Sequence, residues 1–306
     1  MQLVTLVTVK PWGLSFGIFR SAVAISLLVT LVVNPSSALF SRIHLEGSAT
    51  ACVGVAKFSL FCLTPPDSLP KASWVVIAIL AVVASGYKPA WTSIPLAYVA
   101  LSINVAATLV DGGEQVAAAL VLLTLPAGLT DPRAWHWGAL PRSFDLGASS
   151  FRIAVATTSI WAARVQVAII YFFACIEKFE NTSWVEGTAI YYWFRHPNFG
   201  VPGWSADVLL PLSQWAPMSA AISWGTLALE MALALSLFFT ARVRVAWLLP
   251  AATIFHFSIA LFMGITSFAT IMIGAAVILL VPQNLAVVRR FPSVTEDGLV
   301  YSSCEK

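Results

Sequence analysis

Eight apolar segments recur along the 306-residue chain, at roughly 14–33, 72–86, 91–109, 115–129, 153–174, 217–239, 243–262 and 265–282. Most approach the about 20 residues a helix needs to cross a hydrocarbon core about 30 Å thick. The segments at 72–86 and 115–129 are short, so each borrows flanking residues or lies askew. Gly86, Pro89 and Pro95 punctuate the junction between the second and third segments, and Gly112 with Gly113 precedes the fourth. No internal repeat and no low-complexity linker interrupts the series. The expected fold is an all-α integral membrane protein, a polytopic bundle of about eight transmembrane helices with an extracytoplasmic interfacial segment.

Composition points the same way. Only 10% of residues are charged and 59% are hydrophobic, whereas ordinary soluble domains are about 25% charged. Such a chain cannot supply a wet surface all round, so the lipid bilayer is its solvent. The net charge of +3 and the lack of any Lys/Arg run argue against nucleic acid as a partner. The cysteines Cys52, Cys62, Cys175 and Cys304 match no zinc spacing, and no metal is expected. GxxxxGK[ST], HExxH and GxSxG motifs are absent, which weighs against ATP-driven transport and the commonest hydrolases.

Orientation follows from the asymmetry of Lys and Arg. With eight spans both termini share one side, which carries Lys10, Lys88, Arg133, Arg142, Arg152, Arg242, Arg244, Arg289 and Arg290. The other side carries Arg42, Lys57, Lys71, Lys178 and Arg195. Nine against five places both termini in the cytoplasm of a multi-pass protein of the cell membrane. The first span has a second reading as a cleaved signal peptide, with Lys10 before it and Ser36, Ser37 and Ala38 after it, although Arg20 interrupts the run. The loops at about 35–71 and 175–216 then face outward. An outward first loop gives Cys52 and Cys62 an oxidising surrounding, in which they form a disulfide or remain two small hydrophobes.

The residues that can carry chemistry concentrate at Tyr171–Gly187, YFFACIEKFENTSWVEG, where an apolar helix runs into one lysine and three carboxylates. Ionisable groups at a membrane span are costly and tend to be functional. Partial burial of Lys178 against Phe172, Phe173 and Phe179 would favour its neutral form, a competent base, while Glu177, Glu180 and Glu186 would oppose that. The plain alternative is an interfacial lysine snorkelling to the headgroups. Arg164 and Glu230 both fall near mid-membrane and are expected to pair as a structural staple. His256 lies in the outer half of the seventh span and is either a proton carrier or simply hydrogen-bonded. The aromatic stretch Trp184–Trp204 reads as a segment folded over the outer mouth, with Tyr191, Tyr192, Arg195 and His196 lining a pocket or floating among headgroups. TDPRAWHWG at 130–138 reads as a similar stretch on the inner face, which keeps His136 from Lys178 unless that loop re-enters the bundle.

YFFACIEKFENTSWVEGTAIYY resembles the signature of the horizontally transferred transmembrane (HTTM) domain of vitamin K-dependent gamma-carboxylase. LSFGIFRSAVAISLL, with Arg20, is similar to that family's first span, and FHFSIALFMGITSF, with His256, to its late Phe-His span. The likeness covers most of 14–282, between a cytoplasmic N-terminus at 1–13 and a cytoplasmic tail at 283–306. It places Lys178 where the carboxylase holds the base that deprotonates vitamin K hydroquinone, and continues through Trp184, Glu186 and Gly187. It thereby implies Lys178, His256 and Glu186 as catalytic residues, and Trp184, Tyr191, Tyr192 and His196 as a seat for a reduced quinone. DGGEQVAAAL, TDPRAWHW and GTAIYYWFRHPNFG look like the sporulation-delaying protein B subgroup, compact bacterial membrane proteins needed to mature secreted antimicrobial peptides. The large lumenal domain of true carboxylase has no counterpart here, which tells against glutamate carboxylation.

Three functions are therefore expected to compete. The first is maturation or export of a secreted peptide toxin precursor, together with a companion maturation protein. The second is a quinone-dependent, carboxylase-like enzyme with Lys178 as base. The third is a non-catalytic immunity or scaffold protein.

Overall fold

The computed structural model describes residues 11–40, 52–108, 111–141, 144 and 149–283. Lys10, Arg42, Arg142, Arg289, Arg290 and Cys304 lie outside the described residues, as does nearly all of the expected tail at 283–306. Each apolar segment becomes one long helix: α1 Leu14–Val33, α2 Leu69–Ser85, α3 Pro89–Ala106, α4 Gly113–Leu129, α5 Ser150–Phe179, α6 Ala216–Ala234, α7 Leu249–Met263 and α8 Thr266–Leu280. Five helical runs are long and apolar enough to cross a membrane, namely Leu14–Val33, Pro66–Ser85, Ser150–Phe179, Ala216–Phe238 and Ala241–Met263, and α4 and α8 are shorter apolar helices. Among the described residues no strand forms beyond an isolated bridge between Tyr87 and Trp135. The chain is an all-α integral membrane protein.

Local chemistry sets the reversals. Gly86 takes φ +91°, in the left-handed region that ends helices, and its N–H closes α2 on the Val83 carbonyl. Pro89 then opens α3 at a position where the missing N–H has no intrahelical partner to lose. Gly264, at φ +73°, ends α7 two residues before α8 begins.

Helix α1 lies at the centre, packed on α8 and α2, while α8 also touches α4, α5 and α7. Phe16, Phe19, Val23 and Leu27 of α1 meet Val76 and Leu80 of α2 and Ile271 and Ile278 of α8 in one core. In lipid the helices gain little from excluding water, so small residues that allow close approach carry the packing. Gly274 is such a residue, since a β-carbon there would sit 2.8 Å from the Ala22 Cβ. Gly274→Val is expected to destabilise the bundle by about 1–3 kcal/mol through overpacking. An unchanged unfolding midpoint in detergent would refute that contact.

The connections sort to two ends. At one end Trp12 Nε1 donates to the Ala127 carbonyl at 2.9 Å, and the 130–138 loop docks on the α2–α3 turn. That docking uses Lys88 N to Ala134 O at 2.7 Å, His136 N to Gly86 O at 2.9 Å and Trp137 Nε1 to Ser85 O at 2.8 Å. The loop does re-enter. His136 is fully buried between Gly17 and Gly86, its Nε2 3.3 Å from Ser21 Oγ. Burial, with the cations Arg20 and Arg133 nearby, pushes its pKa down to about 3, so the imidazole is neutral. At the other end Leu60 N donates to Ser102 Oγ at 3.1 Å and Thr108 N to Leu39 O at 2.8 Å, tying the α1–α2 connection to α3. That connection carries a disulfide between Cys52 and Cys62. Helix α5 starts at the first end, where Arg152 Nη2 reaches the Thr130 carbonyl at 2.9 Å. Its 30 residues therefore deliver Lys178 to the end that holds the disulfide.

Candidate functional site

Lys178 stands in the last turn of α5, inside the helix rather than beyond it. Tyr171, Cys175 and Lys178 follow the i, i+4, i+7 spacing of one helical face, and this face turns inward. Lys178 Nζ lies 2.8 Å from Glu230 Oε1 of α6 and 3.3 Å from the Ala174 carbonyl. The lysine side chain is 24% exposed and that of Glu230 only 6%. The second carboxylate oxygen, Oε2, is buried and has no hydrogen-bond partner among the described residues.

A tryptophan covers the pair. Asn181 caps the short helix Thr182–Val185, its side chain accepting from Ser183 N at 3.0 Å. Trp224 Nε1 of α6 donates to the Val185 carbonyl at 3.0 Å. Gly187, at φ +74°, makes the turn against Ala220. Trp184 is thereby set with its ring centroid 5.4 Å from Lys178 Nζ. Cys175, Trp184, Ala189 and Leu227 form a small apolar cluster separate from the main core, with Met231 against it. A cation beside an indole face in a desolvated setting gains about 2 kcal/mol.

Towards the bundle centre, Tyr171 Oη and His256 Nε2 of α7 are 2.8 Å apart and both residues are buried. Cys175 Sγ reaches the Leu227 carbonyl at 3.4 Å between these two pairs. A lysine, a carboxylate, a tyrosine and a histidine thus line one interior seam. Such a set can hold and pass protons, or stabilise an anion next to the ammonium.

The expected Arg164–Glu230 pair is not formed. Arg164 precedes Lys178 by 14 residues, about 21 Å along a helix. It donates instead to the Ile278 carbonyl at 2.8 Å and the Val281 carbonyl at 2.5 Å, at the C-terminal end of α8. Those terminal carbonyls carry the negative end of the helix dipole and take the place of a counterion. Glu230 answers Lys178 instead, giving one of two ion pairs among the described residues; the other joins Arg133 to Asp131 at 2.7 Å.

Other expected site residues fall outside the seam. Glu186 is exposed and forms no ion pair among the described residues. Tyr191 lies under the Arg195 guanidinium at 3.9 Å and packs edge-on to Tyr192. His196 stacks between Trp193 and Phe199, and its Nδ1 accepts from the backbone of Asn198 and Phe199 at 3.2 Å. Arg195 ties this cap to Ser213 Oγ and the Leu210 carbonyl. A cavity of about 760 Å³ lies elsewhere, between the end of α1 and the start of α2, and none of the seam residues lines it. Tyr191, Tyr192 and His196 thus pack within the cap segment itself. His136, held by α1 and the α2–α3 turn, lies at the end where α5 starts, whereas Lys178 is in the last turn of α5. Tyr171 and Cys175 are open to detection from their helical spacing to Lys178. The Lys178–Glu230 pairing spans 52 residues and leaves no local signal.

The HTTM domain model matches residues 143–284, which contain the whole seam. The chain is 34% identical over 275 residues to "Uncharacterized protein YitO" of Bacillus subtilis (strain 168), covering 89% of this chain and 87% of that one. It is 33% identical over 283 residues to "Sporulation-delaying protein SdpB" of the same organism, covering 91% and 85%. No solved structure matches. With this near full-length similarity, the chain belongs to the HTTM-domain family, in the subgroup of SdpB.

Proposed function

We propose that this protein works in the membrane as part of a sporulation-delaying peptide system, where it helps mature or export a secreted antimicrobial peptide. The working residue is Lys178, on the outward face of a domain spanning 14–282, with both termini cytoplasmic. The partners are the peptide precursor and a companion maturation protein. Similarity to SdpB over 91% of the chain supports the peptide system. The pairing of Lys178 with the buried Glu230, 2.8 Å apart, supports the choice of residue, because a costly intramembrane charge invites a functional role.

The test uses cells that carry the peptide operon. Lys178→Ala, introduced with Glu230→Gln so that no carboxylate is stranded, is expected to abolish active toxin while the protein stays folded. Undiminished toxin would remove Lys178 from the mechanism and leave an immunity or scaffold role. Mass spectrometry of the processed peptide separates the remaining readings. Added mass equal to one CO2 would favour a carboxylase-like enzyme over assistance in maturation.

A further inference from the structure

We propose that the cleft between the end of α1 and the start of α2 is a lipid site, which seats one ester-linked fatty-acyl chain of a bilayer glycerolipid and holds its ester carbonyl on the Ser73 hydroxyl. The cleft lies apart from the seam, so the site does not depend on any role of Lys178.

Local chemistry opens the cleft. Helices α1 and α2 share one core through Val23, Leu27, Val76 and Leu80. Beyond it, at the end that holds the disulfide, Asn34 leaves α1 in extended backbone, φ −107° and ψ 132°, as the residue before a proline prefers. Opposite stand Pro66, Leu69, Pro70, Ser73, Trp74 and Ile77, which recur at the three- and four-residue steps of one face of the helical run Pro66–Ser85. The space between the two walls is about 760 Å³, within the range of about 300–1,000 Å³ usual for small-ligand sites.

Its polarity is graded along the membrane axis. Asn34, Ser36 and Ser37 line the rim, Ser73 stands one turn into α2, and Ile77 lies about 6 Å deeper. Trp74, 66% exposed beside Ser73, marks the depth of the headgroup boundary, where indole rings concentrate. A glycerolipid has the same order: polar head, ester, then chain.

Ser73 supplies the recognition. It is only 6% exposed and lines the cleft, yet its Oγ has no hydrogen-bond partner among the described residues. Hydroxyls elsewhere on the helices turn back to the carbonyl four residues earlier, as Thr124 does to Leu120, Thr226 to Ile222 and Thr253 to Leu249. A buried donor left unpaired is costly, so the fitting occupant brings an acceptor. Among the described residues no charged side chain lines the cleft, so a fatty-acid carboxylate would find no counter-charge there. A polypeptide segment would bring an N–H and a C=O at every residue, far more than one hydroxyl can answer. An ester brings an acceptor and no charge, with a hydrocarbon chain for Leu31 and Ile77.

The test places the full chain in nanodiscs of dioleoylphosphatidylcholine with a trace of photoactivatable lipid. One probe is phosphatidylcholine with ester-linked chains and a mid-chain diazirine; the other has ether links, which lack the carbonyl. After illumination, peptide mass spectrometry maps the label. The ester probe is expected to label Leu31 and Ile77 above the exposed Ile254 and Phe257 of α7. It is also expected to label the cleft about two- to tenfold more than the ether probe, the span of one hydrogen bond. Ser73→Ala should erase that preference and leave labelling of α7 unchanged. Equal labelling of the wild-type cleft by the two probes overturns the proposal, and that comparison requires no variant to fold. Label spread evenly over the bundle overturns it as well, because the cleft is then ordinary bilayer-facing surface. A cleft that neither probe reaches overturns the lipid in favour of a polypeptide occupant.

Discussion

Lys178→Ala on its own will lower the stability of the protein by about 3–5 kcal/mol, and adding Glu230→Gln will recover most of that loss. The single change leaves the Glu230 carboxyl 5% exposed and without the ammonium it contacts. The double change leaves an amide where a carboxylate stood and strands no charge. Residues in contact are the ones whose effects fail to add, so the difference between the sum of the single effects and the double effect measures the coupling. Unfolding in detergent supplies all four corners of the cycle. Strict additivity would mean that the pair contributes nothing in the membrane. The same cycle protects the functional test, because a loss of toxin in the single variant mixes lost chemistry with lost fold.

The second large effect is expected at the opposite end of the bundle. Gly86→Ala will destabilise by about 2–5 kcal/mol, combining a left-handed backbone penalty with overpacking. Its φ is +91°, and an added β-carbon would sit 2.6 Å from the His136 ring and 2.7 Å from Trp137 Nε1. Gly112 separates the two causes, since it has φ +85° with nothing within 4 Å of a β-carbon. Gly112→Ala therefore reports the backbone penalty alone, about 1–2 kcal/mol. Adding His136→Ala to Gly86→Ala opens room for the methyl group and is expected to recover part of the loss. Equal midpoints for the two glycine variants would show that the ring does not press on Gly86.

The bundle was legible because hydropathy reports it directly: each apolar stretch forms a helix, and Gly86, Pro89 and Gly112 mark real boundaries. The cysteine pairing was open to chemical inference from a shared loop and is present. Axial register was not legible. Charge and approximate depth match Arg164 with Glu230, but nothing in the sequence says how far α6 slides along α5. The slide places Glu230 level with Lys178, and Arg164 finds two carbonyls at the end of α8 instead. The burial of His136 is hidden for a related reason. Its loop looks interfacial in isolation, and it enters the bundle because Gly17 and Gly86 leave a slot the width of a ring. The aromatic cap illustrates the converse. Tyr191, Tyr192 and His196 look like ligands in sequence, and the structure packs Tyr191 on Arg195 and Tyr192, and His196 on Trp193 and Phe199, all of the same segment.

The Cys52–Cys62 clip fastens the same end of the molecule that carries Lys178. Covalent sulfur links persist in oxidising compartments and are rare where glutathione holds thiols reduced. The clip and the lysine therefore share one chemical climate, and a test of whether Cys52 and Cys62 are joined in cells would report which side of the membrane that end of the bundle faces.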